Sequence, residues 1–198
     1  MRAIIQRVVS AGVEVEGRLV SEIGPGLLVL VGIHESDVEA DADYISGAEG
    51  LRARIGGRLE AAAGWTQSGD VDEAPADGGS CRKVLNMRLF PNEKSGKAWD
   101  LNVMQRNFGV LLVSQFTLYG ILKGNKPDFH VAMPSDKAKA FYASLVEKFQ
   151  KSYTADAVKD GVFGAMMKVN LANDGPVTMQ LDSSQSRSYC ETVDDRKP

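Results

Sequence analysis

Leu27-Leu28-Val29-Leu30-Val31 follows a chain break signalled by Gly24-Pro25-Gly26. A short run of Leu and Val without a polar residue is typical of a strand buried on both faces. Ahead of it, Ala3 to Val9 and Val13 to Val20 are rich in β-branched residues. Ser10-Ala11-Gly12 separates these two strands and Glu16-Gly17 gives a second turn signal, so the first 33 residues are predicted to be mostly sheet.

Two helices are expected to cover this sheet. Ser36-Asp37-Val38-Glu39 has the spacing of a capping box, and apolar residues follow it at helical intervals at Tyr44, Ile45, Ala48, Leu51 and Ile55. After Pro134, with Ser135 as the expected N-cap, an apolar stripe is formed by Ala138, Phe141, Tyr142, Leu145, Val146 and Phe149.

The other apolar segments predict further strands, at Lys83 to Phe90, Trp99 to Val103, Phe108 to Tyr119, Met166 to Leu171 and Val177 to Leu181. The order of elements predicts a mixed α/β fold in which curved, barrel-like sheets are covered by two helices. Residues 1–183 are expected to form one domain. Gly56 to Cys81 is rich in Gly and polar residues and is interpreted as an inserted loop, and residues 184–198 as a polar, frayed tail.

Composition narrows the classes of function. The chain has 198 residues and a formal net charge of −3, which argues against broad binding to a phosphate backbone but allows binding of one small end of a nucleic acid. The two cysteines, Cys81 and Cys190, are far apart and suit a reducing cytosol. Residues 1–7 alternate in polarity, unlike a targeting segment. The longest apolar run, Leu27 to Ile33, is too short to span a bilayer. A soluble cytoplasmic protein is expected.

Conventional catalytic patterns do not fit this sequence. His34 and His130 are its two imidazoles, and no GxSxG elbow marks a nucleophilic serine. No spacing of His or Cys suits a metal ion, and no glycine-rich motif suits a phosphate, so neither a metal nor a cofactor is predicted. His34 is interpreted as a strand-end or capping residue, and His130 attracts more interest because a loop is predicted there.

Two short, nearly uncharged motifs remain, Ser114-Gln115-Phe116-Thr117 and Asn173-Asp174-Gly175-Pro176-Val177-Thr178. Gly175-Pro176 places an amide without a donor in a strand-like stretch, which leaves carbonyl oxygens unpaired. Ser114 or Thr117 could be drawn as a nucleophile, but neither has an evident base. Donation from the backbone N–H groups near Gln115 to Thr117 is the better interpretation of how this motif could act.

Together with Ile5-Gln6-Arg7-Val8, Lys123 to Phe129 and Phe163-Gly164-Ala165-Met166, the two motifs resemble the D-aminoacyl-tRNA deacylases. The resemblance runs from Met1 to about Ser183 and is interrupted mainly at Gly56 to Cys81. It implies a homodimeric hydrolase that cleaves the ester between a D-amino acid and the 3′-terminal adenosine of tRNA. It also implies that the ribose 2′-hydroxyl helps to activate water and that glycyl-tRNA is a second substrate.

The resemblance further implies a cis Gly175-Pro176 peptide that projects from one subunit into the active site of the other. Carbonyls directed into the pocket would reject an L side chain and admit a D isomer. The implied catalytic residues are Ser114, Gln115, Phe116 and Thr117. The implied residues of substrate binding and chiral selectivity are Gly175, Pro176, Arg7, Ala132, Phe163 and Met166.

Several assignments keep a structural alternative. Arg7 also fits a surface strand arginine, and Phe116, Phe163 and Met166 also fit core packing. Lys123 and Lys126 could meet tRNA phosphates or simply be solvated. Val162 and Asn125-Lys126 depart from the family pattern in the region expected to meet phosphates. The alternative function is a non-catalytic nucleic-acid-binding module on the same fold, and a third is a hydrolase of free D-amino-acid esters or small D-peptides.

Overall fold

The computed structural model describes residues 1–46 and 83–184. The elements are β1 (Arg2–Val15), β2 (Arg18–Ile23), β3 (Gly26–Gly32), α1 (Glu39–Ser46), β4 (Phe90–Asn92), β5 (Lys97–Leu101), β6 (Gly109–Ser114), β7 (Ile121–Lys123), β8 (Lys126–Asp128), α2 (Ser135–Ser152), β9 (Val158–Asp160) and β10 (Met167–Asp182). A mixed sheet with the strand order β10-β1-β3-β6-β9 forms the centre of the structure, and β2 pairs with β1 outside this order.

The apolar run that follows Gly24-Pro25-Gly26 forms the predicted buried strand, β3. It pairs antiparallel with β1 on one side and parallel with β6 on the other, and β6 pairs parallel with β9. The β3–β6 pairing begins at Gly26 and Gly109, where the backbones are so close that a Cβ on Gly26 would lie 2.0 Å from the Gly109 carbonyl oxygen. Two apolar clusters of side chains pack on β3, one on each of its faces.

The first strand is longer than predicted. The prediction of a turn at Ser10-Ala11-Gly12 is wrong, because β1 continues through these residues and turns only at Glu16-Gly17. Its first half pairs with β3, and its second half, after irregular pairing with β10 near Val8, pairs with β2. This long strand curls the sheet around a small apolar cluster formed by Val8, Ala11, Val13, Ile23, Leu28, Leu111 and Val113.

The two helices of the described ranges pack on the opposite face of the sheet, where the larger apolar cluster lies. The predicted stripe of α2 is buried at Ala138, Tyr142, Leu145, Val146 and Phe149. Lys148 of α2 pairs with Asp43 and, at 2.8 Å, with Glu39, which joins α2 to α1. The predicted mixed α/β class, with a curved barrel-like sheet and two helices, is confirmed.

Both predicted helix caps are wrong. The Ser36 hydroxyl is hydrogen-bonded to the His34 ring, while the Val38 amide donates to the Asp41 carboxylate at 2.9 Å. Ser135 is the first helical residue, and Pro134 occupies the cap position without a side-chain hydrogen bond. The Asp41 carboxylate therefore satisfies a backbone donor just before α1, while Pro134 fixes the φ of the residue before α2.

The prediction of a strand from Lys83 to Phe90 is wrong, because a turn occupies residues 84–86 and only Phe90 belongs to a strand, β4. Other predicted strands have different bounds. The strand expected from Phe108 to Tyr119 is β6 only as far as Ser114, and Phe116–Tyr119 form a 3-10 turn. The strands expected from Met166 and from Val177 are one strand, β10, interrupted opposite Arg7. Ala48, Leu51, Ile55, the inserted loop, both cysteines and residues 185–198 lie outside the described residues. No helix of the described ranges is long and apolar enough to cross a membrane.

Candidate active site

The carboxyl ends of the three parallel strands meet at one edge of the sheet. Ser114, the last residue of β6, lies opposite Val31, and the amide of Gly161, just after β9, donates to the Leu112 carbonyl at 3.0 Å. The chain therefore leaves β3, β6 and β9 side by side. In α/β sheets, ligands commonly bind at this edge.

The segment after Ser114 is held tightly against β3. The Gln115 amide donates to the Val31 carbonyl at 2.7 Å, and the Gln115 carbonyl accepts from Leu118 at 3.2 Å, which turns the chain. The side-chain amide of Gln115 donates to the Thr117 hydroxyl. We call residues 114–117, with their backbone amides, the SQFT turn. Its position is set by backbone hydrogen bonds and not by the type of its side chains.

Two backbone donors of the SQFT turn are available to a ligand. The amides of Phe116 and Thr117 begin the 3-10 turn, where no preceding carbonyl of the turn can accept them. Within the described residues these two amides make no hydrogen bond. The Phe116 side chain is 58% exposed and meets Phe129 edge to face at 5.0 Å. The turn thus presents two adjacent N–H groups beside an exposed aromatic ring.

Ala132 lies at the same edge. Its amide donates to the Phe129 carbonyl at 3.0 Å, it forms an isolated β-bridge with His34, and the next amide, that of Met133, donates to the Ile33 carbonyl at 3.0 Å. Residues 129–133 therefore cross the end of β3, directly beside the strand whose end carries the SQFT turn. The structure brings Ala132 and Ser114–Thr117 to one place.

The other two expected pocket residues are less closely joined to this site. Phe163 follows β9 and packs on Tyr142 of α2, with ring centroids 5.7 Å apart. Met166 is 93% exposed. The Tyr142 hydroxyl is buried without a hydrogen-bond partner in the described part of the chain, and burial raises its pKa. Phe163 therefore packs against α2 and the main apolar cluster, while Met166 projects into solvent.

A charged cluster flanks Phe129 and was missed by the sequence reasoning. Asp128 pairs with Lys123 and, at 2.5 Å, with the His130 ring. The hydrogen bond from Lys123, followed by those from the His130 amide and ring, holds the pKa of the Asp128 carboxyl well below its usual range. The sequence signal that could have indicated this cluster is the Asp128-x-His130 spacing at the end of β8, in the β7–β8 hairpin. Lys123 is therefore already paired with Asp128, whereas Lys126 is exposed at the end of the hairpin.

Gly175-Pro176 lies in a turn that leaves the sheet. Thr178 pairs with Gln6 and Asn173 with Val8, so residues 174–177 all stand opposite Arg7 alone. We call residues 174–177 the Gly-Pro turn. The Asn173 carboxamide oxygen accepts from the Val177 amide at 2.9 Å, and its nitrogen donates to the Thr178 hydroxyl at 3.2 Å. Asn173 and Thr178 therefore brace the turn, whose tip is exposed.

The expectation of a cis Gly175-Pro176 bond is wrong for this structure, in which the described residues contain no cis peptide. The bend is made instead by Gly175, whose φ is +107°, and by the Asn173 hydrogen bond to Val177. The trans form of an X-Pro bond is favoured by about 0.5–1 kcal/mol. Since the tip of this single chain is exposed, no contact there favours the cis form.

Arg7 packs under the Gly-Pro turn and is 13% exposed. Its Nε lies 2.9 Å from the Asp174 carboxylate, as an ion pair without hydrogen-bond geometry, and its Nη1 donates to the Leu89 carbonyl at 2.6 Å. A Cβ on Gly175 would lie 2.9 Å from Nη2 of Arg7. Arg7 therefore supports the turn from beneath, and a side chain at position 175 would have to displace its guanidinium.

In one chain the Gly-Pro turn and the SQFT turn lie at opposite ends of β3. Arg7 pairs with Leu27, whereas Ser114 pairs with Val31. Four residues of strand separate the two positions, about 13 Å at about 3.3 Å per residue. The two motifs therefore do not form one pocket within a single chain.

The sequence profile of the D-Tyr-tRNA(Tyr) deacylase family matches residues 4–58 and 68–182 of this chain. The chain belongs to this deacylase family. The resemblance noted in the sequence is confirmed, and so is the prediction of an enzyme, since the family is one of hydrolases.

Relatives of this deacylase-family chain cover almost all of it. It is 43% identical to the D-aminoacyl-tRNA deacylase of Dictyostelium discoideum, over 93% of this chain and 99% of that protein. It is 40% identical to D-aminoacyl-tRNA deacylase 1 of Homo sapiens, over 92% of this chain and 70% of that protein.

Two solved structures share the fold of this deacylase-family chain. One, named "c-Myc DNA Unwinding Element Binding Protein", has a TM-score of 0.69 and 40% identity and covers 92% of this chain and 98% of its own. The other, a "probable eukaryotic D-amino acid tRNA deacylase", has a TM-score of 0.60, covers 91% of this chain and 98% of its own, and is 17% identical, a likeness of fold alone.

Proposed function

We propose that this protein hydrolyses the ester bond of D-aminoacyl-tRNA and releases the D-amino acid and tRNA. The observation that carries the proposal is the SQFT turn, in which the amides of Phe116 and Thr117 are available beside an exposed Phe116 ring. The Dictyostelium discoideum and Homo sapiens relatives are named for this activity, which supports the assignment of the substrate.

The SQFT turn supplies an oxyanion hole. The ester carbonyl oxygen accepts from the amides of Phe116 and Thr117, and negative charge grows on that oxygen as water attacks the carbonyl carbon. A donor of this kind contributes about 3–4 kcal/mol to stabilising the transition state. The bond to the ribose 3′-oxygen then breaks, and the proton given up by the attacking water passes through the ribose 2′-hydroxyl to this oxygen as it leaves. The terminal adenine packs against Phe116, Ala132 and Phe163.

No side chain of the described residues is assigned as the base in this mechanism. The Thr117 hydroxyl accepts from the Gln115 side chain. An unactivated hydroxyl is a weak nucleophile. As the family resemblance implies, the 2′-hydroxyl of the terminal ribose activates the water. This role restricts the reaction to esters of tRNA and disfavours free D-amino-acid esters as substrates.

Chiral selectivity comes from the Gly-Pro turn of a second copy of the chain. The distance between the two turns along β3 supports a homodimer in which each Gly-Pro turn completes the partner's pocket. Its carbonyls meet an L side chain, which would bury them without a donor, whereas a D isomer turns only its hydrogen toward them. Glycine has no side chain to reject, so glycyl-tRNA is also cleaved. The cytoplasm is the compartment that supplies these substrates.

The decisive experiment measures the release of tyrosine from D-tyrosyl-tRNA and L-tyrosyl-tRNA by the purified protein, without added metal. We expect hydrolysis of the D ester and retention of the L ester. A variant with Thr117→Pro, which removes one amide donor, should lose about 100-fold in rate or more. Equal rates on the two esters would contradict the filter, and a wild-type rate in Thr117→Pro would contradict the oxyanion hole.

One comparison favours a second candidate. The 40%-identical solved structure is named as a DNA-unwinding-element-binding protein, which is compatible with a non-catalytic nucleic-acid-binding role on this fold. Available amides and a Gly-Pro turn supported from beneath by Arg7 are features that a pure binder does not need. Tight binding to duplex DNA, together with no hydrolysis of D-tyrosyl-tRNA, would favour this second role.

A further inference from the structure

The support of the Gly-Pro turn comes from a distant part of the chain. Arg7 is the residue directly beneath the turn, and two of its contacts belong to residues 89–101, which lie more than eighty residues away along the sequence. The Leu89 carbonyl, just before β4, accepts from Nη1 of Arg7 at 2.6 Å. The β4–β5 hairpin therefore takes part in fixing Arg7.

The second contact is made by an aromatic ring. The Trp99 ring, on β5, lies 5.7 Å from the Arg7 guanidinium carbon. Trp99 is nevertheless 57% exposed, on a strand that pairs only with β4 in the described part of the chain. Packing within the hairpin does not account for a large aromatic residue at this position, whereas attraction between the ring face and the guanidinium does.

Arg7 is thereby surrounded by contacts that differ in strength and direction. Asp174 holds Nε from the turn side, Leu89 holds Nη1 from the hairpin side, and Nη2 lies under the Gly175 Cα. A guanidinium is planar, so fixing two of its nitrogens and one face fixes its orientation. Without the ring, the guanidinium can tilt, and Asp174 and the carbonyls of the Gly-Pro turn move with it.

We propose that Trp99 is a positioning residue for chiral selection, acting through Arg7 on the Gly-Pro turn. The inference rests on the proposed function. In the described residues, the ring contact of Trp99 is with Arg7 and not with the SQFT turn. We therefore expect its loss to change which isomer is accepted and to leave the binding of the D substrate unchanged.

The test compares Trp99→Ala, Trp99→Leu and Trp99→Phe in the otherwise complete protein. For each, kcat and KM are measured on D-tyrosyl-tRNA and L-tyrosyl-tRNA. We expect Ala and Leu to lower the D-over-L ratio of kcat/KM about twofold to fivefold, the range of an exposed cation–π contact, at unchanged KM for the D ester. Phe keeps an aromatic face and should retain most of the ratio. Since Leu keeps an apolar side chain on the hairpin, the result does not depend on the folding of the Ala variant.

Lys97→Ala, on the same strand, is the matched control and should leave the ratio unchanged. An unchanged ratio in both Trp99→Ala and Trp99→Leu would overturn the inference. A raised KM for the D ester at an unchanged ratio would also overturn it, because Trp99 would then be a contact for tRNA. A wild-type protein that hydrolyses both esters equally would refute the proposed function, and this inference with it, before any variant is compared.

Discussion

At the scale of single residues, Gly175 has little freedom to change. Its φ of +107° lies where L residues rarely go, and a Cβ there would meet the Arg7 guanidinium at 2.9 Å. Backbone strain of this kind costs about 1–3 kcal/mol. Both the strain and the collision push the Gly-Pro turn away from its observed place.

We therefore expect Gly175→Ala to lower the D-over-L discrimination about tenfold or more, since small misplacements at a site are costly. The melting temperature should fall by a few degrees, as the strain requires. Gly17→Ala is the matched control, because Gly17 also has a positive φ, +75°, but has open space around it. It should lower the melting temperature and keep the discrimination. Full discrimination in Gly175→Ala would argue against any role of the turn in the filter.

The sequence indicated which residues form the candidate site but not what surrounds them. Gly175 and Phe116 could be singled out because each belongs to a short motif without conventional chemistry. The contacts of Arg7 with Leu89 and Trp99 could not, because they join segments far apart in the chain. Short-range patterns carry no information on which distant carbonyl a guanidinium will meet.

At the scale of elements, strands were easier to predict than their ends. The run Leu27–Val31 is buried because β3 is covered on both faces. The end of β6 was misplaced because Phe116–Tyr119 is as apolar as a strand interior and carries no Gly or Pro to mark the 3-10 turn. Hydrophobic pattern reports burial, whereas Gln115 turns the chain through hydrogen bonds that the pattern does not show.

The two helices are joined by a charge cluster that can be tested. Burial alone would lower the pKa of Lys148, but hydrogen bonds to Asp43 and Glu39 outweigh it and raise the pKa above the ordinary value of 10.5. We expect Lys148→Met to lower the free energy of unfolding by about 1 kcal/mol, or the melting temperature by about 2–4 °C. Lys151→Met is the control, because its exposed pair with Glu147 lies within α2, and it should cost less.

The pH dependence follows from the direction of this shift. A pKa raised by folding stabilises the protein below the pKa of the unfolded chain, and that stabilisation is lost as the pH rises through the folded value. The melting-temperature difference between wild type and Lys148→Met should be constant near neutral pH and shrink above about pH 10.5. Buried Tyr119 and Tyr142, whose pKa values are also raised, destabilise both proteins alike at high pH. A constant difference up to pH 11 or so would contradict the assignment.

At the scale of the whole molecule, the separation of the two turns along β3 predicts a shared site. A Gly175→Ala chain is expected to cleave both isomers, and a Thr117→Pro chain neither. When the first is mixed with an excess of the second, each active SQFT turn is paired with an intact Gly-Pro turn from its partner. The remaining activity should therefore regain its preference for the D ester.

The readout is the ratio of D to L hydrolysis as the inactive chain is added. Wild-type chain in place of the Thr117→Pro chain serves as the positive control, and heat-denatured Thr117→Pro chain as the negative control. If the ratio stays low at every excess while mixed dimers are detected, the filter acts within one chain and the proposed dimeric site is wrong.

The close approach of β3 and β6 restricts which residue can occupy position 26. A Cβ on Gly26 would lie 2.0 Å from the Gly109 carbonyl oxygen, so the two strands can align only where a residue without a side chain faces the neighbouring backbone. A slip by one residue would bring Leu27 to that position and turn every apolar side chain of β3 to the other face. Gly26 thus acts as an alignment mark, which excludes misregistered pairings during folding and leaves substitution at this position almost no viable outcome.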